Sequence, residues 1–563
     1  MFDLLISHAR IHDGRGGEPF EGQVAVRDGR IAAVRHADAP IAATEAREHL
    51  DAHGLTLMPG IIDNHTHYDA QITWAPYLDQ SVGMGVTTAI IGNCGFTIAP
   101  CHPDAASRDL VTKNLTQVEG MSLASLQAGI RWNFESFPQY LDQIEAGGCA
   151  MNLAAFVGHS TLRTYVMGTQ GSDRAATPEE VARMQTLVDE ALAAGAIGLA
   201  STTTTSHNAF DGRPMPSRLA DWSEFLALAQ PLRARNQGVF MMTKGPSTPV
   251  PMLETFAAES GRPVLVAALL HSALTPQGVF DDLSAIHEAN ARGRHMRGAV
   301  AATPLVFDFS FESPYPLEPL AAWKPVFGLK GEALMAQMRD PALRQAIRDE
   351  LKTPARRLFA GNWDLIHVLQ PVDRSRAGLI DRTIASIARE QGVDPLDCLF
   401  DLALSEQLGT LFSLTAFNHD EQAVAKLLNH SDSLISLSDA GAHLSFLDDS
   451  GFGLHLLGHW VRDQSAMPMA EAVRRLTSAQ AEFFGIRDRG SIREGMAADL
   501  LLFDPNSVGR GARTRANDLP AGATRVVTQS RGVHGVWVNG VRVADAQGVL
   551  HRELPGKLLR SWH

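Results

Sequence analysis

Short apolar runs alternate with segments of helical pattern from Gly60 to about residue 440, and this alternation constrains the fold more than any other feature. Repeated strand-then-helix units predict a parallel sheet, and this many units over about 400 residues favour an α/β fold of the (β/α)₈ barrel type. The segment at about 300–400 is rich in Pro, aromatic residues and amphipathic helix, and it predicts a helical insertion in the barrel. The apolar runs are TTAIIGN, MNLAAFVGH, AIGLAST, GVFMMT, VLVAALLH and SLISLSD.

Both ends of the chain lack this alternation and consist of short β-rich pieces with turn signals. An Asp-Gly pair at 28–29 and an Asn-Gly pair at 539–540 each separate two apolar stretches, as hairpin turns do. Neither end has enough strands to enclose a core alone. We therefore expect residues 1–58 and 487–563 to form one small β-sandwich beside a barrel of residues 59–486.

The composition excludes several classes of protein. The 563 residues include 62 Asp and Glu against 49 scattered Lys and Arg, a net charge of −13, so nucleic acid is not an expected partner. No apolar run approaches the roughly 18 residues of a membrane span, and no membrane partner is expected. Four cysteines are too few for a disulfide framework, and the N-terminus lacks the pattern of a secretory signal. These features predict a cytoplasmic protein, and a homo-oligomer is compatible with them.

The sharpest local signal is the pair His65 and His67, which ends the first predicted barrel strand. Residues i and i+2 of a strand point to the same side, so both imidazoles can reach one metal ion. In barrels of this type, catalytic groups lie at the carboxyl ends of the strands. An H-x-H pair can also arise by chance in a chain with 22 histidines, so its position on the strand carries the argument.

Ligand-type side chains recur at the ends of later predicted strands: Cys94, His159, His271 and Asp439. Each has a plainer interpretation, since a lone buried cysteine is usually inert and a lone histidine is usually hydrogen-bonded in the core. Asp439 could equally cap a turn. Their shared position on successive strands is what the plainer interpretations do not explain.

Several motifs resemble one family. The sequence is similar to the amidohydrolase superfamily, specifically its N-acyl-D-amino-acid deacylase (D-aminoacylase) branch, over nearly the whole chain and with features of its longer members. The motifs that carry the resemblance are PGIIDNHTHYDAQITWAP, GVTTAIIGNCGFTIAP, VGHSTLR followed by VMG, SDAGAH and GSIREGMAADLLLFDP.

The resemblance implies a (β/α)₈ barrel beside a β-sandwich, with one or two Zn²⁺ at the barrel mouth. Matched position by position, His65 and His67 correspond to the first-strand ligands and Cys94 to the cysteine of the tighter zinc. His271 corresponds to the sixth-strand ligand. Asp439 corresponds to a metal-binding aspartate that activates the attacking water and passes its proton to the leaving amine.

The chain departs from the family at the fifth strand, where Lys244 replaces a zinc-ligating histidine in GVFMMTKGP. An ammonium group cannot bind Zn²⁺. Lys244 could be a ligand only if it were deprotonated or carboxylated to a carbamate. Otherwise it is an anchor for a substrate carboxylate or a cation in a widened site.

A second departure follows Asp439, where the family's carboxylate-binding arginine is missing although His443 is retained. The bidentate clamp expected for a substrate carboxylate is therefore absent from this loop. Arg163 or Lys244 could take it over. The candidate substrate-binding residues are His159, Arg163, His207 and His443.

The leading hypothesis is a zinc-dependent hydrolase of the amide bond of an N-acyl (D-)amino acid or a related small amide. One alternative is a hydrolase of another amide, a cyclic amide, a carbamate or a lactone on the same metal centre, because a fold does not decide its substrate. Another is a catalytically silent barrel that acts as a binding protein. A silent barrel has no chemical reason to keep the complete set of ligand-type residues.

Overall fold

A computed structural model describes residues 1–312, 314–353, 358–445 and 447–562, without the side chains of 117–119. In chain order the strands are β1 (Phe2–Ile11), β2 (Phe20–Arg27), β3 (Arg30–His36), β4 (Ala46–Asp51), β5 (Thr56–Pro59), β6 (Ile61–Asp63), β7 (Val86–Ile91), β8 (Asn152–Gly158), β9 (Gly198–Thr202), β10 (Val239–Thr243), β11 (Val264–Leu269), β12 (Met296–Ala301), β13 (Leu305–Phe309), β14 (Ile366–Gln370), β15 (Leu411–Phe417), β16 (Ser433–Ser436), β17 (Leu500–Phe503), β18 (Gly509–Ala516), β19 (Arg525–Arg531), β20 (Val533–Val538), β21 (Val541–Asp545) and β22 (Gly548–Val549).

The α-helices lie mainly between the strands of the barrel. In chain order they are α1 (Asp79–Val82), α2 (Ala105–Glu119), α3 (Leu123–Gly129), α4 (Phe137–Gly147), α5 (His159–Met167), α6 (Pro178–Ala193), α7 (Trp222–Arg235), α8 (Val250–Ser260), α9 (Gly278–Ala291), α10 (Gly331–Met338), α11 (Pro341–Leu351), α12 (Ile384–Gln391), α13 (Pro395–Ser405), α14 (Glu421–Asn429), α15 (Phe452–His455), α16 (Met469–Leu476) and α17 (Ser478–Phe484). No helix within the described ranges is long and apolar enough to cross a bilayer.

An eight-stranded parallel sheet forms the barrel, in the order β16-β12-β11-β10-β9-β8-β7-β6. Its first and last strands meet just beyond their ends, where the His67 backbone N–H donates to the Ala440 carbonyl at 2.7 Å and the Asp439 N–H donates to the His65 carbonyl at 3.1 Å. The predicted barrel fold is confirmed. All residues of β7 and β8 are buried, as expected for strands covered on both faces.

The two ends of the chain share one nine-stranded sheet, in the order β22-β21-β20-β17-β5-β1-β2-β3, with β4 paired to β1. The N-terminal β5 pairs antiparallel with the C-terminal β17. One core joins both ends, since Leu4 and Ile6 share a buried cluster with Leu500 and Trp537. Neither end builds this sheet alone. The predicted domain limits at 58 and 487 stay predictions.

Barrel and terminal sheet belong to one compact unit of residues 1–269, 281–302 and 425–563, and residues 270–280 and 303–424 form a second unit. The second unit has its own core, in which Phe311, Trp323 and Phe400 are almost completely buried. It combines helices with a three-stranded antiparallel sheet in the order β13-β15-β14. The sequence predicted helices at about 300–400 but did not reveal this sheet.

Candidate metal centre

His65 and His67 lie just after β6 and point their Nε2 atoms toward the same carboxylate. His65 Nε2 is 3.2 Å and His67 Nε2 is 3.7 Å from Asp439 Oδ1. Both imidazoles are buried. The same-side placement predicted for i and i+2 therefore brings both rings to the carboxylate that follows the last barrel strand.

Cys94 sits on a tight turn after β7, in a left-handed conformation with φ of 57°. Its Sγ atom lies 3.5 Å from His65 Nε2 and 4.0 Å from His67 Nε2. Gly92 makes this turn possible, because its φ is 81° and a Cβ atom there would lie 2.4 Å from the Phe156 carbonyl oxygen. The turn delivers the sulfur to the two imidazoles.

The donor set suits Zn²⁺. The ligand atoms of His65, His67 and Cys94 all lie within 4.8 Å of one another. Tetrahedral zinc with bonds of about 2.0–2.3 Å requires neighbouring N and S ligands to be about 3.5 Å apart, and the observed separations of 3.5 and 4.0 Å are close to this value. The three residues therefore fit the ion that the sequence predicts, and their ligation of it stays a prediction.

The electrostatics favour the metal-binding form of Cys94. Burial raises the pKa of its thiol, but the charge and hydrogen bond of His65, followed by those of His67, lower the pKa to about 7 overall. The other buried cysteines behave in the opposite way, because burial raises the pKa of Cys101 and of Cys149 to about 12. Only a thiolate binds metal, so Cys94 is the cysteine suited to that role.

Asp439 is in a left-handed conformation with φ of 46°, and its side chain is 25% exposed. Burial would raise the pKa of its carboxyl, but the hydrogen bond of His67 and the charges of His65, His67 and His443 hold the pKa below its usual range. An ionised, partly accessible carboxylate beside the imidazoles can bind a metal ion or accept a proton.

Asp63 holds the two sides of this centre together. Its carboxylate is fully buried and accepts hydrogen bonds from the Ser436 hydroxyl at 3.0 Å, the Ser438 hydroxyl at 2.5 Å and the His65 N–H at 3.2 Å. Burial raises its pKa to about 6. Asp63 was not among the residues predicted from the sequence, although its position two residues before His65 was a visible signal.

At the end of β10, two consecutive residues point in different directions. The Thr243 hydroxyl donates to Cys94 Sγ at 3.1 Å. Lys244 Nζ instead contacts the Asp282 carboxylate on α9 at 2.8 Å. Alternation along a strand explains the difference. The predicted role of Lys244 as a metal ligand stays a prediction, and its side chain has a different partner here.

His159 and Arg163, at the start of α5, are both 0% exposed. His159 Nε2 lies 2.7 Å from Glu224 Oε1, and Arg163 donates to Glu224 Oε2 at 2.5 Å. His159 Nδ1 lies 2.9 Å from the Ser201 hydroxyl. Both side chains are buried and held by the same carboxylate, and their predicted contact with substrate stays a prediction.

His207 and His443 fare differently. The His207 ring lies 5.0 Å from the Phe96 ring, two residues beyond Cys94, and its Nδ1 is 2.9 Å from the Thr202 hydroxyl. Burial, and then the charges of His443 and His67, lower the pKa of His207 to about 3, so it is a neutral ring. The charge of His443 also lowers the pKa of Asp439. Both histidines therefore lie near the candidate centre. Their contact with substrate stays a prediction.

His271 follows β11 and belongs to the second compact unit. It is buried, its N–H donates to the Asn418 side-chain oxygen at 2.8 Å, and its carbonyl accepts from the Asn418 N–H at 3.0 Å. Burial lowers the pKa of its imidazole and so favours the neutral form that can bind metal. Its predicted ligation stays a prediction.

Sequence comparisons agree with this geometry. The model of a family described as the amidohydrolase family matches residues 48–544. The D-aminoacylase of Alcaligenes xylosoxydans xylosoxydans is 30% identical over 556 residues, which cover 97% of this chain and 95% of that protein. The N-acyl-D-aspartate deacylase of the same organism is 30% identical over 571 residues, which cover 99% and 95%.

A solved structure of D-aminoacylase is 25% identical, with a TM-score of 0.68 and full coverage of both chains. That protein is described as having a binuclear metal centre, with one-metal activation and second-metal attenuation. Another D-aminoacylase structure, described as defining a novel subset of amidohydrolases, has a TM-score of 0.66 at 25% identity, again with full coverage of both chains. The likeness therefore extends over barrel, terminal sheet and second unit.

Proposed function

Because this chain belongs to the amidohydrolase family and is a hydrolase acting on C–N bonds, we propose that it cleaves the amide bond of an N-acyl amino acid at a zinc centre. The observation that carries the proposal is the convergence of His65, His67 and Cys94 within 4.8 Å beside the carboxylate of Asp439. These three side chains and Asp439 are the proposed ligands of one or two Zn²⁺, with His271 as a further candidate.

An amide is a poor electrophile with a poor leaving group. Bound Zn²⁺ supplies positive charge for the carbonyl oxygen and lowers the pKa of water to about 7. The protein must then move one proton. In our proposal the Asp439 carboxylate accepts a proton from the attacking water and delivers it to the amine nitrogen as the C–N bond breaks.

The surroundings of Asp439 suit this role. Its low pKa keeps it ionised at neutral pH, so it is ready to accept a proton. Its backbone N–H is bonded to the His65 carbonyl, and the adjacent Ser438 is bonded to Asp63, so its position is fixed relative to the imidazoles. Fixed geometry of this kind is what efficient proton transfer requires.

The relatives support the substrate class. One is a D-aminoacylase and another an N-acyl-D-aspartate deacylase, which favours a small amide with a D-amino-acid part. All four cysteines are free and buried, which supports a reducing compartment such as the cytoplasm. A substrate screen can identify the acyl group, the amino-acid side chain and the configuration that the enzyme prefers.

The test joins metal analysis of the purified protein to a screen of N-acetyl-D- and N-acetyl-L-amino acids. We expect about one or two zinc ions per chain, deacetylation of D substrates and loss of activity with a chelator that added Zn²⁺ restores. If the protein hydrolysed only cyclic amides, carbamates or lactones, it would be the alternative hydrolase with the same metal centre. A protein without metal and without turnover would be the silent barrel.

A further inference from the structure

A substrate with a free carboxylate needs a cation near the centre, and the two cations expected from the sequence already have partners. Arg163 is fully buried against Glu224, and Lys244 is paired with Asp282. The loop after Asp439, residues 440–460, contains no arginine or lysine. Another positively charged group must therefore bind the carboxylate if the proposed function is correct.

Arg218 is fixed at the same end of the barrel. It belongs to a short 3₁₀ turn, Pro216–Leu219, in the connection between β9 and α7. The adjacent Ser217 hydroxyl donates to the carbonyl of Thr202, the last residue of β9, at 2.9 Å. The Ser217 N–H donates to the Ser160 hydroxyl at 3.2 Å, just after β8 ends. These bonds hold the backbone at Arg218 against two adjacent strand ends.

The guanidinium of Arg218 is half-buried and lacks an acidic partner. One of its nitrogens, Nη1, donates to the His207 carbonyl at 2.9 Å and to the side-chain oxygen of Asn208. No carboxylate in the described ranges forms an ion pair with it, and its Nε and Nη2 donors make no hydrogen bond to any of those residues. Partial burial lowers the pKa of its guanidinium.

Other arginines nearby are arranged differently. Arg213, on the same loop, forms ion pairs of 2.7 Å with both Asp173 and Asp211. Arg163 is neutralised by Glu224. A half-buried guanidinium whose Nε and Nη2 edge remains open can receive a carboxylate by two parallel hydrogen bonds.

The His207 imidazole connects Arg218 to the candidate centre. Arg218 is bonded to the backbone of His207, and the His207 ring packs beside Phe96 on the turn that carries Cys94. The charges of His443, His67, Asp439 and Arg218 all act on this one imidazole. The guanidinium and the proposed reacting groups thus lie around a common side chain.

We propose that Arg218 binds the carboxylate of the N-acyl amino acid and so makes a carboxylate-bearing amide the preferred substrate. This inference rests on the proposed function and deepens it. It makes Arg218 a specificity-determining residue of the reaction.

The experiment compares two substrates in the zinc-loaded enzyme: the best N-acetyl amino acid from the screen and its primary carboxamide, which has the same shape without the charge. Arg218→Ala should lower kcat/KM for the carboxylate substrate about 10²-fold, mostly through KM, because a charge-assisted bidentate contact is lost. It should leave deacetylation of the carboxamide within about threefold of wild type. Arg218→Lys should fall between the two.

Arg213→Ala is the matched control, since it removes an arginine of the same loop whose charge is already paired. It should preserve the preference for the carboxylate. If Arg218→Ala slowed both substrates equally, the residue would only hold the loop and the inference would be overturned. A wild-type enzyme without preference for the carboxylate would overturn it as well.

A binding measurement separates this inference from the proposed function. Titration calorimetry with the N-acetyl amino acid and its carboxamide is performed on zinc-loaded protein in the Asp439→Asn background, with and without Arg218→Ala, so that hydrolysis does not contribute to the heat. We expect about 10²-fold weaker binding of the carboxylate ligand to Arg218→Ala and unchanged binding of the carboxamide. If binding depended on Arg218 but the wild-type enzyme did not hydrolyse the substrate, only the proposed reaction would be refuted. If the enzyme hydrolysed the substrate but Arg218→Ala bound it as tightly as the protein with Arg218, only this inference would be refuted.

Discussion

Two neighbouring clusters of histidine and carboxylate follow strand ends of the same barrel, and they differ in what neutralises them. In the buried cluster, Glu224 receives both His159 and Arg163 at 2.7 and 2.5 Å, and all three side chains are almost completely inaccessible. In the candidate metal centre, Asp439 faces His65 and His67 at 3.2 and 3.7 Å and remains 25% exposed. Similar residue types thus produce one closed and one accessible arrangement.

The difference teaches how to separate structural from reactive groups. A buried charge that is matched by its own partner is costly to separate from it and is not accessible to a ligand from solvent. Ligand atoms that converge on a shared point, with a thiolate among them, require a cation to be fully satisfied. The charges of the first cluster are already paired with one another, whereas in our proposal a metal ion supplies the positive charge of the second.

The largest expected effect is on catalysis, and it distinguishes the carboxylate of Asp439 from that of Glu224. Asp439→Asn keeps the size of the side chain but cannot accept a proton, so kcat should fall by about 10²–10⁴-fold. Most of the zinc should remain bound, because His65, His67 and Cys94 are retained, and the circular dichroism spectrum should stay close to wild type. Deacetylation kinetics and metal analysis measure both properties, and a variant that keeps more than about a tenth of the wild-type rate would remove Asp439 from the proposed role.

Glu224→Gln should act on stability instead. It leaves Arg163 buried without its counter-charge, and breaking a buried ion pair in this way costs about 3–5 kcal/mol of the free energy of unfolding. Urea denaturation measures the loss. Asp189→Asn, which breaks an exposed pair with Arg235, is the control and should cost about 0–1 kcal/mol. A Glu224→Gln protein of normal stability would contradict the structural role of the buried cluster.

Cys94→Ala should weaken zinc binding by at least about 10–100-fold, because one of a few protein ligands is lost. Cys149→Ala is the matched control, since that thiol is equally buried but its pKa is raised to about 12. After chelation, a thiol reagent at pH 8 should modify Cys94 before Cys149, because only the former is mainly thiolate above its pKa of about 7. Full metal content in Cys94→Ala would exclude it as a ligand.

Thr243→Val tests the hydrogen bond to the sulfur of Cys94. Loss of a hydrogen bond to a charged acceptor costs about 1.5–3 kcal/mol, so zinc affinity should fall by about 10- to 100-fold and the pKa of the Cys94 thiol should rise. Thr243→Ser keeps the hydroxyl and should restore both properties. Competition with a chromophoric chelator measures the affinity, and equal affinities of the Val and Ser variants would show that the hydroxyl is irrelevant.

Lys244→Ala should have the smallest effect, because the ammonium is already paired with Asp282 and lies away from the sulfur and imidazoles of the candidate centre. We expect an unchanged zinc content and a stability loss of about 1 kcal/mol. Asp282→Asn should behave in the same way. A loss of metal that short carboxylic acids restore, together with dependence on bicarbonate, would instead identify the carbamate ligand considered from the sequence.

The pattern of the sequence determined the barrel and the location of its reactive end. Alternation of strand and helix requires a parallel sheet, and the carboxyl ends of parallel strands share one side, so residues separated widely along the chain could be assigned to one mouth. His65, His67, Cys94 and Asp439 were found in this way. The motifs around them also identified the family.

Only the tertiary structure decided which charged side chains are already paired with an oppositely charged side chain. Charge pairing depends on distances between side chains that no local pattern encodes, so Glu224 could not be matched with Arg163, or Asp282 with Lys244, from the sequence. The same limit hid Arg218, which, unlike Arg213, has no acidic partner in the described part of the chain. Periodicity places a residue at a strand end, but packing between elements decides whether its charge is left for a ligand.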